Sequence, residues 1–318
     1  MIESIRHQLR ERALVHRHSR EAVLKAQQQN FETQLQRLDR AQKNFWFHTG
    51  TPTDVKDLQD MPLHTSAEII ATQTSSPPHG ILPPGEMLFM SSGSTGSPRV
   101  RYYFSWDNWF EHLISETRCL IDYGVNESDT LMTADVGNMQ IGYRHGEDST
   151  SVACGGKIVK SGNTTWEQKI DMIDEYHVTM LLANTTKLKR LGQLVKSPEK
   201  VKSLRLVLQA GEHLSNEDQL LISKQFNVDR VVNLYGSVEM GLIFYVCPHG
   251  QQHVNEDLIC ATTKDNKTYF SKLISMPLFN LQSSEVVRYS YKGQCTCGSF
   301  LSTVDEFVPR TNIINQKE

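Results

Sequence analysis

Few stretches of the sequence are as chemically biased as Ser91-Ser92-Gly93-Ser94-Thr95-Gly96-Ser97-Pro98-Arg99, which gathers hydroxyls, glycines, a proline and a cation. An apolar core gains nothing from so many small polar groups. A loop that wraps a polyanion does: glycines let the backbone come close, and N–H groups, hydroxyls and an arginine meet phosphate oxygens. The same composition also marks an ordinary polar hairpin loop. It is not the G-x-x-x-x-G-K-[ST] phosphate loop, because the lysine is missing and no helical pattern follows at once. A second cluster of reactive side chains lies towards the carboxyl terminus. Cys247, His253, Cys295 and Cys297 would close a Cys3His tetrahedron suited to structural zinc, with His249 as the rival nitrogen ligand. Cys-x-Cys does not readily form a disulfide with itself, yet both sulfurs can chelate one ion. The plain alternative is four reduced thiols and surface histidines. Cys119, Cys154 and Cys260 read as core or surface thiols.

The elements that would carry these residues follow from periodicity. Residues 1–44 place Ile5, Leu9, Leu14, Val23, Leu24, Phe31, Leu35 and Leu38 at helical spacing, which predicts one or two amphipathic helices covering the edge of the domain. Met87–Met90 reads as a short buried strand before the Ser/Gly loop, and Val100–Phe104 as a β-prone run after it. Trp106–Tyr123 is a predicted helix. Strands and helices then alternate: Thr130–Ala134, Trp166–Tyr176, Val178–Leu182, Thr185–Val195, Leu204–Gln209, Asn216–Phe226 and Arg230–Leu234. Such alternation implies βαβ units, an α/β fold and mostly parallel sheets flanked by helices. Ligands bind beyond the carboxyl ends of such strands, so the polar loops 134–142, 209–213 and 235–239 are where chemistry is expected. We divide the chain into a helical segment (1–44), an α/β core (45–240) and a β-rich region bearing the zinc candidate (241–318).

Several phrases resemble the adenylate-forming enzymes, the family of acyl- and aryl-CoA ligases and adenylation domains. Residues 91–98 are similar to its Ser-Ser-Gly-Thr-Thr-Gly-Lys-Pro loop, with Ser94 at a Thr-class position and Ser97 in place of Lys. Leu204–Glu212 resembles the strand that ends in a Gly-Gly/Ala-Glu turn, and Tyr235-Gly236-Ser237-Val238-Glu239 fills the Tyr-Gly-x-Thr/Ser-Glu motif. The resemblance implies ATP/AMP binding by Ser91, Ser92, Gly93, Ser94, Thr95, Gly96, Arg99, Ala210, Gly211, Glu212, Asn233, Tyr235, Gly236 and Ser237. It casts Thr95, Glu239 and Arg288 as catalytic, with Tyr235 stacked on adenine and Glu239 on Mg²⁺; a carboxylate beside a triphosphate makes sense only with a hard cation between them.

Other phrases narrow the resemblance to the phenylacetate–CoA ligase-like branch. Asp135, Gly137, Asn138 and Tyr143 resemble its acid-binding region, and Cys247–Asp257 resembles its Cys-x-x-x-x-Gly-x-His-x-x-Glu-Asp phrase. Met61–Ser66 is similar to a Leu-Pro-x-Thr-x-Lys sequence, with Ser66 in place of Lys. Arg288-Tyr289 opens an Arg-Tyr-x-Thr-Gly-Asp phrase whose ribose-binding Asp is missing here. The resemblance covers the large N-terminal domain only. Glu318 falls about where the family's mobile C-terminal domain begins, so a separate subunit of that kind enters as a candidate partner.

Composition narrows the classes. At 318 residues, 38% hydrophobic and 22% charged, the chain has the balance of a globular protein with a large core. A net charge of −3 gives no electrostatic case for nucleic acid, and no apolar run approaches a membrane span. Six scattered cysteines suit a reducing cytoplasm. The expected function is ATP-dependent conversion of a carboxylic acid to an acyl- or aryl-adenylate, then transfer to CoA, a carrier protein or a protein cysteine. A homodimer is compatible with this. The rival is a degenerate adenylate-binding or partner subunit that keeps the fold without turnover, favoured by the missing Asp and the Lys-to-Ser change.

Overall fold

A computed structural model describes residues 2–74, 82, 85–90, 100–134 and 141–309. The N-terminal periodicity resolves into three helices, α1 (Ile2–Leu14), α2 (Arg20–Arg37) and α3 (Arg40–Trp46). Ser19 caps α2 by accepting the Ala22 N–H, and Asp39 with Gln42 forms a capping box on α3. The expected solvated edge helices are in fact built into the body of the fold. Leu9, Ala13, Phe31, Leu38 and Trp46 share one core with Phe244, Leu278 and Phe279, so no separate core divides the first helices from the β-rich region.

Helix α4 (Ser66–Thr74) leads to β1 (Met87–Met90), which pairs antiparallel with β2 (Arg101–Phe104), Met90 opposite Arg101. Gln73 braces this stem: its amide donates to the Arg101 carbonyl at 2.6 Å and accepts the Arg101 N–H at 3.2 Å. The helix expected over Trp106–Tyr123 is two, α5 (Trp106–His112) and α6 (Ile114–Asp122). The break falls at Leu113, whose N–H is shared among the Trp109, Phe110 and Glu111 carbonyls in a tightened turn.

The alternation that follows comprises β3 (Thr130–Thr133), α7 (Ile141–Asp148), β4 (Lys157–Lys160), α8 (Trp166–Glu175), β5 (Met180–Ala183), α9 (Thr185–Leu194), β6 (Leu206–Ala210), α10 (Asn216–Phe226) and β7 (Val231–Ser237). Then come β8 (Gly241–Val246), β9 (Gln252–Val254), β10 (Ile259–Lys264), β11 (Lys267–Lys272), β12 (Leu278–Gln282), β13 (Val286–Ser290) and β14 (Thr303–Val308). A nine-stranded sheet runs β13-β14-β9-β8-β7-β6-β5-β3-β4, while β10, β11 and β12 form a smaller antiparallel sheet. Strands β3 to β7 are parallel, and β8, β9, β14 and β13 continue the same sheet antiparallel. Alternate residues serve opposite faces. Leu131, Leu182, Leu208 and Val232 pack under Cys119, Leu120 and Tyr143, whereas Met132, Leu181, Val207 and Val231 pack under Ile173, Leu188 and Phe226. In register, Ala183 meets Gln209 and Ala210 meets Leu234, so the carboxyl ends of the parallel strands open along one edge.

Candidate functional site

The turn between β7 and β8 is shaped by close approach. A Cβ on Gly236 would lie 2.2 Å from the Gly241 carbonyl oxygen, so only glycine lets the strands meet there. The Ser237 hydroxyl accepts the Met240 N–H at 3.3 Å. Glu239 sits on this turn, half-buried, and burial pushes its carboxyl above the usual carboxylate range, against its own backbone N–H, Ser237 and Lys272. Phe104, on the strand that follows the Ser/Gly loop, has its ring centre 5.4 Å from Lys272 Nζ, which also donates to the Glu239 carbonyl at 3.0 Å. The stem of that loop and the Glu239 turn therefore adjoin.

Behind the turn lies a buried polar chain that the sequence reading did not find. Lys272 meets His112 Nδ1 and donates to the Glu239 carbonyl at 3.0 Å. The His112 and His145 ring centroids are 4.2 Å apart, and His145 Nδ1 lies 3.2 Å from the Glu116 carboxylate, which accepts the Ser115 hydroxyl at 2.8 Å. Trp109 stacks on both His145 and Phe89, tying this chain to β1. Burial pulls the Lys272 ammonium down to about 7 and holds His112 neutral, with the Lys272 charge adding to the latter effect. These residues are scattered from 112 to 272, and no local pattern announces them.

The other expected nucleotide contacts are placed as follows. Tyr235 stacks its ring on Phe244 at 4.6 Å, and its hydroxyl donates to Glu285 at 2.9 Å. Ala210 ends β6, with Gly211 at a φ of 86° just beyond, and Asn233, the third residue of β7, pairs with Gln209 beside it. The Glu212 carboxylate accepts the Thr186 N–H at 2.9 Å and its hydroxyl at 2.8 Å, at the start of α9, where the helix dipole favours an anion. Tyr143 packs on α7 with the Lys187 ammonium 5.8 Å from its ring centre. Arg288 is exposed on β13, ion-paired with Glu306 and hydrogen-bonded to Asn266; it is not brought to Glu239 by any contact among the described residues. Ser91, Ser92, Gly93, Ser94, Thr95, Gly96 and Arg99, together with Asp135, Gly137 and Asn138, lie outside the described residues.

At the far end of β8 the Cys/His residues do converge. The ligand atoms of Cys247, His253, Cys295 and Cys297 all lie within 4.8 Å of one another. His253 belongs to this group, and the exposed His249 does not. Two like turns hold the sulfurs: Cys247 N donates to Gln251 O and Gly250 N to Cys247 O, and Cys295 N donates to Ser299 O and Gly298 N to Cys295 O. Gly250 and Gly298 both have the positive φ such turns require. Contact with Cys297, helped by His253, pulls Cys247 down, towards the thiolate that ligates metal. The soft, compact donor set fits zinc. Six residues of β8 put this cluster about 20 Å from the Glu239 turn, which suits a brace rather than a reacting centre. Cys119, Cys154 and Cys260 are buried.

No protein-family model matches the sequence, and no curated protein matches it. Solved structures do resemble the fold. Structures of 2-hydroxyisobutyryl-CoA ligase superpose with TM-scores of 0.74 to 0.76 at 12 to 14% identity, covering 89 to 91% of this chain and 66 to 68% of theirs. Mycobacterium smegmatis MbtA gives 0.53 at 15% identity over 69% of this chain and 45% of its own. Bacillus subtilis o-succinylbenzoate CoA synthetase (MenE) gives 0.52 at 17% identity over 70% and 49%. The chain thus spans about two thirds of the first protein and about half of the others. The mixed sheet flanked by helices is the fold of the adenylate-forming enzymes.

Proposed function

We propose that the chain activates a carboxylic acid, aryl or acyl, with ATP and passes the acyl group to a thiol, as a cytoplasmic member of the phenylacetate–CoA ligase-like branch. A carboxylate oxygen of the acid attacks the α-phosphorus and pyrophosphate leaves; a thiol sulfur then attacks the acyl carbon and AMP leaves. The observation that carries this reading is the Glu239 turn, set beside the stem of the Ser/Gly loop at the carboxyl end of β7, with Lys272 bridging the Glu239 carbonyl and the Phe104 ring. Catalysis of this kind is mostly positional and electrostatic. Residues 91–99 would wrap the phosphates, and Ala210, Gly211, Asn233 and Tyr235 would flank the adenine. Asp135, Gly137, Asn138 and Tyr143 would line the acid. Glu239 would hold Mg²⁺, whose charge would offset the phosphates; a carboxyl that burial makes reluctant to ionise is the kind a cation relieves. Structures of 2-hydroxyisobutyryl-CoA ligase contain 2-HIB-AMP and CoA, which supports CoA as the acceptor; a carrier protein is the other candidate.

The engagement of Arg288 with Glu306 and Asn266 favours a second reading, a nucleotide-binding subunit without turnover. Calorimetry with Mg·ATP, with and without candidate acids, tests the shared premise. Binding strengthened by one acid supports activation, and no nucleotide binding at all ends both readings.

A further inference from the structure

Lys272 is fully buried, and among the described residues it forms no ion pair with a carboxylate. Glu116, Glu239 and Glu111 act on it only through their field. A lysine placed this way costs free energy that an apolar side chain would not. What it supplies is a donor aimed at one main-chain atom, the Glu239 carbonyl oxygen. His112 accepts from the same ammonium and also presses on the turn, since a Cβ on Gly241 would lie 2.9 Å from His112 Cε1. The turn over Ser237–Gly241 is thus held from beneath by β11 and α5. Through His112, His145 and Glu116 that support reaches α6 and α7.

We propose that Lys272 is the positioning residue of the Glu239 turn: by fixing the Glu239 carbonyl against His112, it holds the backbone from which the Glu239 carboxylate reaches out. The proposal rests on the reading of Glu239 as the carboxylate that holds the magnesium of Mg·ATP. Lys272 touches no substrate. A carbonyl held at 3.0 Å by Lys272 limits how far the Glu239 backbone can shift on the turn, and the side chain departs from that backbone. Only a donor is needed, so the role does not depend on the charge of the amine.

The test compares the wild type with Lys272→Met, which keeps length without a donor, and Lys272→Gln, which keeps a donor. Mg·ATP and AMP are titrated into each by calorimetry, and amide hydrogen exchange is followed without ligand. Lys272→Met should weaken Mg·ATP roughly 3- to 10-fold, the range for an ordinary hydrogen bond, while AMP stays within about twofold. Lys272→Gln should recover part of the loss. Exchange over residues 237–241 should quicken by about tenfold in Lys272→Met, with β6 and α10 unchanged. Equal losses for the two nucleotides, or unchanged exchange in the turn, overturn the proposal. Should the wild type bind neither nucleotide, the reading of the site fails and the exchange comparison alone decides the role of Lys272. Should Lys272→Met not fold, His112→Leu and His112→Asn give the same contrast, because Asn keeps an acceptor near the Nδ1 position. Equal Mg·ATP affinities for those two overturn the proposal.

Discussion

Replacing Cys297 with serine removes one sulfur from the Cys247–His253–Cys295–Cys297 cluster, and the cost can be worked from the geometry. A metal held there would cross-link the turn at Cys247 to the turn at Cys295, closing a loop of about 48 residues. The chain-entropy relation for cross-links values a loop of that length at about 4 kcal/mol. The large apolar core stands without the metal, so the expected loss is this increment rather than the whole fold. For 318 residues the unfolding entropy is about 0.7 kcal/mol/K, so 4 kcal/mol lowers Tm by about 6 °C. Scanning calorimetry reads the shift, and metal analysis should find about one zinc per wild-type chain, greatly reduced in the variant. A chelator-treated wild type should melt with the variant. A variant that has lost zinc yet melts within about 1 °C of the wild type refutes the cross-link argument, and a wild type purified without chelator that carries no zinc refutes the site.

Three further outcomes are expected. Glu239→Gln should weaken Mg·ATP by about tenfold or more and AMP by far less; equal losses by calorimetry would show that the carboxylate does not serve the cation. Arg118 is buried and pairs with Asp257 at 2.7 Å while donating to Ala13 O and Asn255, so Arg118→Met should cost about 3–5 kcal/mol in urea unfolding by stranding the Asp257 charge, and a loss under about 1 kcal/mol contradicts this. Burial holds Lys272 near 7 against an ordinary 10.5, so between those values the unfolded chain binds the extra proton and stability rises with pH. The wild type should therefore gain on Lys272→Met by up to about 1.4 kcal/mol per pH unit above 7, and parallel stability profiles would refute that.

Elements with strong local signals were legible. Helix α10 runs over Asn216–Phe226 as its pattern requires, because Ser215 caps its start and Asn227 turns left-handed at its end. Strand β5 begins two residues later than expected, since the Thr179 hydroxyl and carbonyl already serve Asp129, Thr130 and Arg205. The Cys/His cluster was readable because Cys-x-Cys-Gly and Cys-x-x-Gly dictate the turns that aim the sulfurs. Burial of the N-terminal helices was not, because Gln and Arg on α2 mask its inward residues: Gln34 is buried and Arg37 reaches Glu111. Nor was the Lys272–His112–His145–Glu116 chain, whose members meet only when β11, α5, α6 and α7 pack together.

Acid activation is the central claim, and acid-dependent exchange of labelled pyrophosphate into ATP tests it most directly. With Mg²⁺ and a panel of aryl and acyl acids, the account predicts exchange well above the no-acid blank for at least one acid, and its loss in Glu239→Gln. Exchange at the blank level for every acid, in a protein that calorimetry shows to bind Mg·ATP, would contradict it and leave a nucleotide-binding subunit without turnover.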